Sequence, residues 1–202
     1  MLQVLSINIK KKFLQVIRLA QITNRYFIAL LPPLEIQNSV RDIQQHFAEH
    51  YNSRGALRSP PHITLQPPFL WEVERVNELE SHLKNFVQQR SLVPIVLDGF
   101  GAFSPRVIYI NVRKSPELLN AQADLMTHCE LLGIVDPVSK TRPFAPHMTV
   151  AFRDLTRQNF KAAWTQFQHQ QLYFEFIASG VTLLIHNGKW IVHTIFPFTF
   201  NN

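Results

Sequence analysis

The amino-acid sequence predicts an α+β fold made of two similar lobes, and two observations support this prediction. Short apolar or β-branched runs alternate with amphipathic helical stretches along residues 25–200. The same order of strand, helix, loop, strand, helix and strand occurs twice, over residues 25–102 and again over residues 105–200. Because no linker separates the halves, we expect a single bilobed domain with two pseudo-symmetric βαβαβ lobes.

The elements of the first half follow from apolar runs and from the prolines and glycines that end them. They are a strand at 26–31, a helix at 34–51, a loop at 52–61, a strand at 63–65, a helix at 71–90 and a strand at 92–97. Pro67-Pro68 is predicted to end the second of these strands. Asp98-Gly99 and Gly101 predict a turn before the second half.

The second half repeats this order and adds two strands. Its elements are a strand at 107–112, a helix at 116–132, a loop at 136–146, a strand at 148–152, a helix at 156–170 and strands at 172–178, 181–186 and 190–196. Pro116 fits the first position of its helix, and Gly133 fits the C-terminal end of that helix. Asn187-Gly188 predicts a tight hairpin between the last two strands.

Composition excludes several classes of protein. A chain of 202 residues with 46% hydrophobic residues can bury a core and does not resemble a disordered chain. Its single cysteine, Cys129, excludes an internal disulfide and any zinc site built from several thiolates. No apolar run approaches the roughly 18 residues that a transmembrane helix needs.

The net charge of +6 is unevenly distributed along the chain. Residues 1–24 contain Lys10, Lys11, Lys12 and Arg18 and no acidic residue, so they contribute +4 and leave +2 for residues 25–202. We predict a basic N-terminal extension, which is either disordered, as chain termini often are, or a basic amphipathic helix. The remainder of the chain is nearly neutral, so its attraction for an anionic ligand must be local.

Each half carries the same short motif at the start of a predicted strand, proline-histidine-apolar-threonine-apolar. The motif reads Pro61-His62-Ile63-Thr64-Leu65 in the first half and Pro146-His147-Met148-Thr149-Val150 in the second. Residues two apart on a strand face the same side, so each histidine points the same way as its threonine. If a pseudo-two-fold axis relates the lobes, the two pairs converge on one cleft.

Two histidines and two threonines suit displacement at a phosphodiester without a metal or a covalent nucleophile. One histidine takes the proton of the attacking oxygen, and the other protonates the leaving oxygen. Threonine hydroxyls can bind the non-bridging oxygens, and Arg58 and Arg142, which precede the motifs, could neutralise developing charge. Phe144, two residues before the second motif, is a candidate for stacking on a base.

The two motifs resemble those of the two-histidine phosphoesterase superfamily, also called the 2′-5′ RNA ligase-like family. The resemblance covers about residues 25–200, and the stretch from Arg142 to Arg153 is similar to that family's second motif. It implies a duplicated fold with largely antiparallel sheets around a central cleft. It also implies a metal-independent site that opens cyclic phosphodiesters and hydrolyses, or reversibly ligates, 2′-5′ phosphodiesters.

Carried over by position, the resemblance makes His62 and His147 catalytic and Thr64 and Thr149 phosphate-binding. We therefore expect an RNA end or a cyclic nucleotide as substrate, a 2′-phosphate as the product from a 2′,3′-cyclic nucleotide, and no cofactor. We also expect a cytoplasmic monomer without a stable protein partner. The continuation Gln66-Pro67-Pro68-Phe69 departs from the RNA-ligase branch and is more similar to a bacterial side branch.

Two alternative functions stay open on the sequence. The basic extension and the altered first motif would also fit a non-catalytic RNA- or nucleotide-binding module on the same scaffold. His46-Phe47-Ala48-Glu49-His50 fits the pattern of the inverted zinc peptidases, although short motifs of this kind often occur by chance.

Overall fold

The computed structural model describes residues 22–88, 90–138 and 141–199. Most of the predicted basic extension, residues 1–21, lies outside the described residues. The helices are α1 (Leu34–His50), α2 (Val76–Val87), α3 (Pro116–Leu131) and α4 (Arg157–Phe167). The strands are β1 (Thr23–Leu30), β2 (Ile63–Glu72), β3 (Val93–Phe103), β4 (Val107–Val112), β5 (His147–Ala151), β6 (Tyr173–Ala178), β7 (Gly180–Asn187) and β8 (Lys189–Pro197).

The strands form two four-stranded sheets, with orders β2-β1-β7-β8 and β5-β4-β3-β6. All pairings between these strands are antiparallel, as the predicted fold class requires. The sheets do not coincide with the two sequence repeats. β3, from the first half, pairs with β4 and β6, whereas β7 and β8, from the second half, complete the first sheet. Each lobe therefore needs strands from both halves, which ties the lobes together.

Side-chain alternation along the two motif strands sets which face enters the core. Ile63, Leu65, Met148 and Val150 are all at most 1% exposed and belong to one core cluster. Burying each such side chain contributes about 1.5–3 kcal/mol, so a one-residue slip of register is strongly disfavoured. The residues between them, which include both motif threonines, consequently face away from the core.

Several helix and turn signals read from the sequence are confirmed. The Ser115 hydroxyl accepts a hydrogen bond from the Leu118 amide at the start of α3, and Gly133 follows that helix with a φ of +78°. At the start of α4, the Thr156 hydroxyl accepts from the Asn159 amide. Gly188, with a φ of +65°, forms the tight turn between β7 and β8. Each position suits a residue that caps a helix or tolerates left-handed backbone.

The predicted end of the strand at Pro67-Pro68 is wrong. β2 continues through both prolines to Glu72, and the predicted helix over 71–90 begins only at Val76, after a short 3₁₀ turn. β2 is an edge strand, and its register against β1 shifts at the prolines. Proline is tolerated there because an edge position or a bulge does not need its missing N–H.

The turn predicted at Asp98-Gly99 is also wrong. β3 runs on to Phe103, and the register shifts between Leu97 and Phe100. Gly99 adopts a φ of +65° at this shift, so the glycine makes a β-bulge rather than a turn. The chain reverses instead at residues 104–106.

Of the helices in the described ranges, none combines the length and the apolar character needed to cross a membrane.

Candidate active site

The two motif strands bring their polar residues together between the sheets. A cavity of about 560 Å³ is lined by His62 and Thr64 from β2 and the segment before it, and by His147 and Thr149 from β5. The four side chains of the duplicated motif therefore share one cleft. The strands that carry them belong to different sheets, so the cleft lies at the contact between the lobes.

Both histidines are held in the same way by their own backbone. Nδ1 of His62 donates to the Pro60 carbonyl at 2.7 Å, and Nδ1 of His147 donates to the Ala145 carbonyl at 2.7 Å. A carbonyl can only accept, so Nδ1 carries the hydrogen in the neutral ring. Nε2 is then the nitrogen that can take up or deliver a proton.

Aromatic rings support the imidazoles from the neighbouring strands. Phe27 on β1 lies 4.7 Å from the His62 ring, measured between centroids. Tyr109 on β4 and Phe103 at the end of β3 each lie 5.1 Å from the His147 ring. These contacts limit rotation of both imidazoles, and they keep water away from one face of each ring.

The electrostatic environment keeps both imidazoles neutral in the unliganded protein at pH 7. Burial lowers the pKa of His62 to about 4, against the opposing effect of the Pro60 carbonyl and with a smaller contribution from nearby His147. Burial also lowers the pKa of His147, while the Ala145 carbonyl opposes the change. A bound anion favours the charged imidazolium, so a phosphodiester in the cleft would raise either pKa.

The first helix of each half holds the motif strand of the other half. The buried Gln44 side chain on α1 donates from Nε2 to the Thr149 carbonyl at 3.1 Å. Gln122 on α3 donates from Nε2 to the Leu65 carbonyl at 3.4 Å. The relative position of the two motifs is therefore fixed by side-chain hydrogen bonds between the halves, in addition to the packing of the core.

The predicted Arg58 lies in the same cavity as the motif residues, whereas Arg142 and Phe144 do not. Arg58 donates from Nη2 to the Gly188 carbonyl at 2.7 Å. Arg142 and Phe144 line an adjoining cavity of about 550 Å³. The two cavities share Thr64, Phe103 and His147 in their walls, so a ligand at the histidines could extend into either one.

Sequence reasoning missed several residues of the cleft wall, and three of them, Arg25, Arg153 and Trp190, carry charge or a large ring. Arg25 lies on β1 and its guanidinium is 5.7 Å from the centre of the Trp190 ring. Arg153 is the second residue after the end of β5 and has a φ of +64°. Only Arg153 gave a sequence signal, since it ends the stretch that resembles the family's second motif.

The alternative of a zinc peptidase finds no support in the described residues. His46 and His50 lie side by side near the end of α1, with ring centroids 4.3 Å apart. The intervening Glu49 accepts a hydrogen bond from Gln45, and neither histidine lines the cleft. Within the described ranges, no three metal-ligating side chains group as a metal site requires.

The comparisons with known proteins agree with this geometry. The sequence profile of the 2'-5' RNA ligase superfamily matches residues 32–190. A candidate phosphoesterase from Geobacillus sp. (strain WCH70) is 30% identical over 176 residues, covering 85% of this chain and 95% of the relative. Another from Bacillus mycoides (strain KBAB4) is 26% identical over 173 residues, covering 84% and 94%.

Two solved structures share the fold. E. coli LigT complexed with 3'-AMP aligns with a TM-score of 0.63 and 20% identity, covering 88% of this chain and 99% of LigT. TT0787 of Thermus thermophilus aligns with a TM-score of 0.60 and 18% identity, covering 86% and 97%. At this level of identity, the likeness establishes a common architecture.

Proposed function

Because the chain belongs to the 2'-5' RNA ligase superfamily, whose candidate phosphoesterases are among its relatives, we propose that it cleaves cyclic or 2′-5′ phosphodiesters of RNA or nucleotides. The reaction is reversible and uses two histidines without a metal ion. One observation carries the proposal, namely that both histidines and both threonines of the duplicated motif line one cavity. LigT, which has the same fold, was crystallised with 3'-AMP and with phosphate.

In the proposed mechanism, His62 and His147 act on opposite sides of the phosphorus. With a 2′,3′-cyclic nucleotide, water attacks phosphorus while Nε2 of the neutral histidine takes its proton. The bond from phosphorus to the 3′ oxygen breaks, and the protonated histidine donates its proton to that oxygen. The product is a 2′-phosphate, and the reverse reaction exchanges the two roles. The lowered pKa keeps an imidazole of the free protein unprotonated, as the base must be. The negative charge of the bound phosphodiester favours protonation of the other imidazole, which then acts as the acid.

The remaining cleft residues are assigned to binding. The hydroxyls of Thr64 and Thr149 lie on the same strand faces as the histidines and donate to the non-bridging oxygens. Arg58 adds positive charge from the loop before the first motif. Arg142 and Phe144 act from the adjoining cavity, Arg142 on phosphate charge and Phe144 by stacking on a base.

The test is hydrolysis of 2′,3′-cyclic AMP by the purified chain in excess EDTA, with chromatographic separation of the 2′- and 3′-monophosphates. The wild-type chain should form the 2′-monophosphate. His62→Ala and His147→Ala should each lower kcat by about 1000-fold, since each removes one proton-transfer group. The matched control is His169→Ala, since His169 is exposed and lies outside the cleft.

Two outcomes would contradict the proposal. Activity that survives either cleft-histidine substitution in a folded variant would exclude the two-histidine mechanism, and activity abolished by EDTA would exclude metal independence. Nucleotide binding that tolerates loss of one histidine, with no turnover by the wild-type chain, would instead favour the non-catalytic binding module.

A further inference from the structure

The cleft carries more positive charge than a single phosphodiester needs. Its wall contains three guanidiniums, those of Arg25, Arg58 and Arg153, and no carboxylate among its lining residues. Within the described parts of the chain, none of the three pairs with a carboxylate. A scissile phosphodiester brings one negative charge, and Arg58 together with the motif residues can balance it. Arg25 and Arg153 then remain as surplus cations.

Arg25 lies on β1, two residues before Phe27, the residue that contacts the His62 ring. Residues 25 and 27 are on the same strand face, about 7 Å apart along the strand. Phe27 contacts the His62 ring, so Arg25 lies past that histidine, towards one end of the cleft. Trp190 contacts both residues at this end of the cleft. Its ring packs edge-on against Phe27, with 4.7 Å between the ring centroids, and it also faces the Arg25 guanidinium. In the described part of the chain, that guanidinium makes no hydrogen bond, so its donors remain available.

Arg153 is brought to the same cavity by a sharp turn after β5. Its left-handed backbone, with a φ of +64°, is costly for a residue other than glycine and marks a conformation that its surroundings impose. The following Asp154 explains how the turn is held. Its carboxylate accepts from the Ser53 hydroxyl at 3.0 Å and from the amides of Arg54 and Gly55 at 2.8 and 3.3 Å.

The Asp154 carboxylate thus joins the turn after the second motif to the loop that precedes the first. Asp154 is absent from the cavity wall, so it holds the turn that carries Arg153 without placing a carboxylate inside the cleft. Arg153 itself stays close to the Phe152 ring, at 5.0 Å, and both residues line the cavity. The surplus cations therefore come from opposite lobes and face the same space.

The adjoining cavity has a different character. It is lined by apolar residues such as Leu65, Met126 and Phe144, and it includes the carboxylates of Glu130 and Asp136. Its lining thus combines Arg142 with two carboxylates, whereas the cleft around Arg25 is lined by three guanidiniums and by no carboxylate. The two histidines are related by pseudo-two-fold symmetry, but the charged residues on their two sides differ.

We infer that Arg25 and Arg153 form a subsite for a second phosphate group, which the substrate carries next to its scissile phosphodiester. The inference rests on the proposed function and specifies its substrate class, a cyclic or 2′-5′ phosphodiester with a further phosphate on the same nucleotide. That phosphate is either a terminal 5′-phosphate or the next phosphodiester of an oligonucleotide, since both present the same anionic oxygens. Arginine suits it because its planar fork binds phosphate through two donors.

The test compares kcat/KM for three substrates, 2′,3′-cyclic AMP, its 5′-phosphorylated form and a dinucleotide that ends in the same cyclic phosphate. The wild-type chain should prefer the 5′-phosphorylated form over 2′,3′-cyclic AMP by about tenfold or more, as expected for charge-assisted hydrogen bonds. Arg25→Gln and Arg153→Gln should each reduce this ratio, and the double variant should bring it close to one. Equal preference for the dinucleotide identifies any neighbouring phosphate as sufficient, and preference for the 5′-phosphorylated form alone identifies a terminal phosphate.

Arg157→Gln is the matched control, because Arg157 is exposed at the start of α4 and lines neither cavity. It removes the same charge and should keep the wild-type ratio. Raising the salt concentration should reduce the preference of the wild-type chain, a measurement that needs no variant.

The outcomes separate the two proposals. Absence of turnover with all three substrates contradicts the proposed function. Turnover with no preference for a further phosphate, or a preference that survives in the folded double variant, overturns the subsite and leaves the two-histidine reaction intact. Equal loss of preference in Arg157→Gln also overturns it, because the effect would then reflect overall charge.

Discussion

The depressed pKa of His62 predicts a specific loss of stability in acid. The imidazole titrates at about 4 in the folded chain and at 6.5 in its ordinary environment, because burial penalises the charged ring. Between these values the unfolded chain binds the proton more readily, so stability falls as the pH drops from 6.5 towards 4. At about 1.36 kcal/mol for each unit of pKa, the His62 contribution amounts to roughly 3 kcal/mol at pH 4.

His62→Asn isolates this contribution, since asparagine keeps a donor for the Pro60 carbonyl and does not titrate. The variant should lose less stability than the wild-type chain on going from pH 7 to pH 4, by roughly 3 kcal/mol of unfolding free energy. Urea unfolding of both proteins at pH 7, 5 and 4 measures the difference. Acid sensitivity from His147 is present in both proteins and cancels except for its small coupling to His62.

Leu65→Val serves as the control, because Leu65 is buried on β2, three residues after His62, and carries no titratable group. Its stability difference from the wild-type chain should be the same at each pH. If the difference between His62→Asn and the wild-type chain is equally constant, burial does not depress the pKa of this imidazole, and the reasoning fails.

Two further predictions concern the cleft and its support. Thr64→Val and Thr149→Val should each lower kcat/KM for a cyclic nucleotide by about tenfold to a hundredfold, since each removes a hydroxyl that the proposed mechanism assigns to the phosphate. Their melting temperatures should stay near the wild-type value, and kinetics unchanged in both variants would exclude the threonines from binding. Asp154→Ala should lower the unfolding free energy by about 1–3 kcal/mol, because it leaves the Ser53 hydroxyl and two loop amides without their acceptor. Urea unfolding measures this loss, whereas Arg157→Gln should leave the unfolding midpoint almost unchanged.

The elements with strong local signals were predictable from the sequence. α3 begins after Ser115 and ends before Gly133, and β7 and β8 meet at Gly188, as the capping and turn residues indicate. The errors arose where tertiary context changed the meaning of a local signal. Pro67 and Pro68 do not end β2, because the strand lies at a sheet edge, and Gly99 bends β3 instead of reversing it.

The site was predictable as far as the repeated motif extends. The alternation of a strand orients Thr64 with its histidine and Ile63 towards the core, which requires no knowledge of the rest of the chain. Arg25 and Trp190 had no such pattern, because they reach the cleft from strands far apart in the sequence. Arg58 and Arg142 both precede a motif histidine by a few residues. Arg58 lines the cleft, whereas Arg142 lies in the other cavity.

The sequence by itself determined the duplicated motif, the residues that could transfer protons and the apolar positions that form the core. These depend on local periodicity and on side-chain chemistry, both of which can be read along the chain. Only the tertiary structure decided which strands share a sheet and which arginines surround the histidines. It placed β3, from the first half, in the sheet of the second half, and it placed β7 and β8, from the second half, in the sheet of the first. Those features depend on contacts between residues distant in sequence, and burial of the histidines, which lowers the pKa of His62 to about 4, exists only once those contacts form.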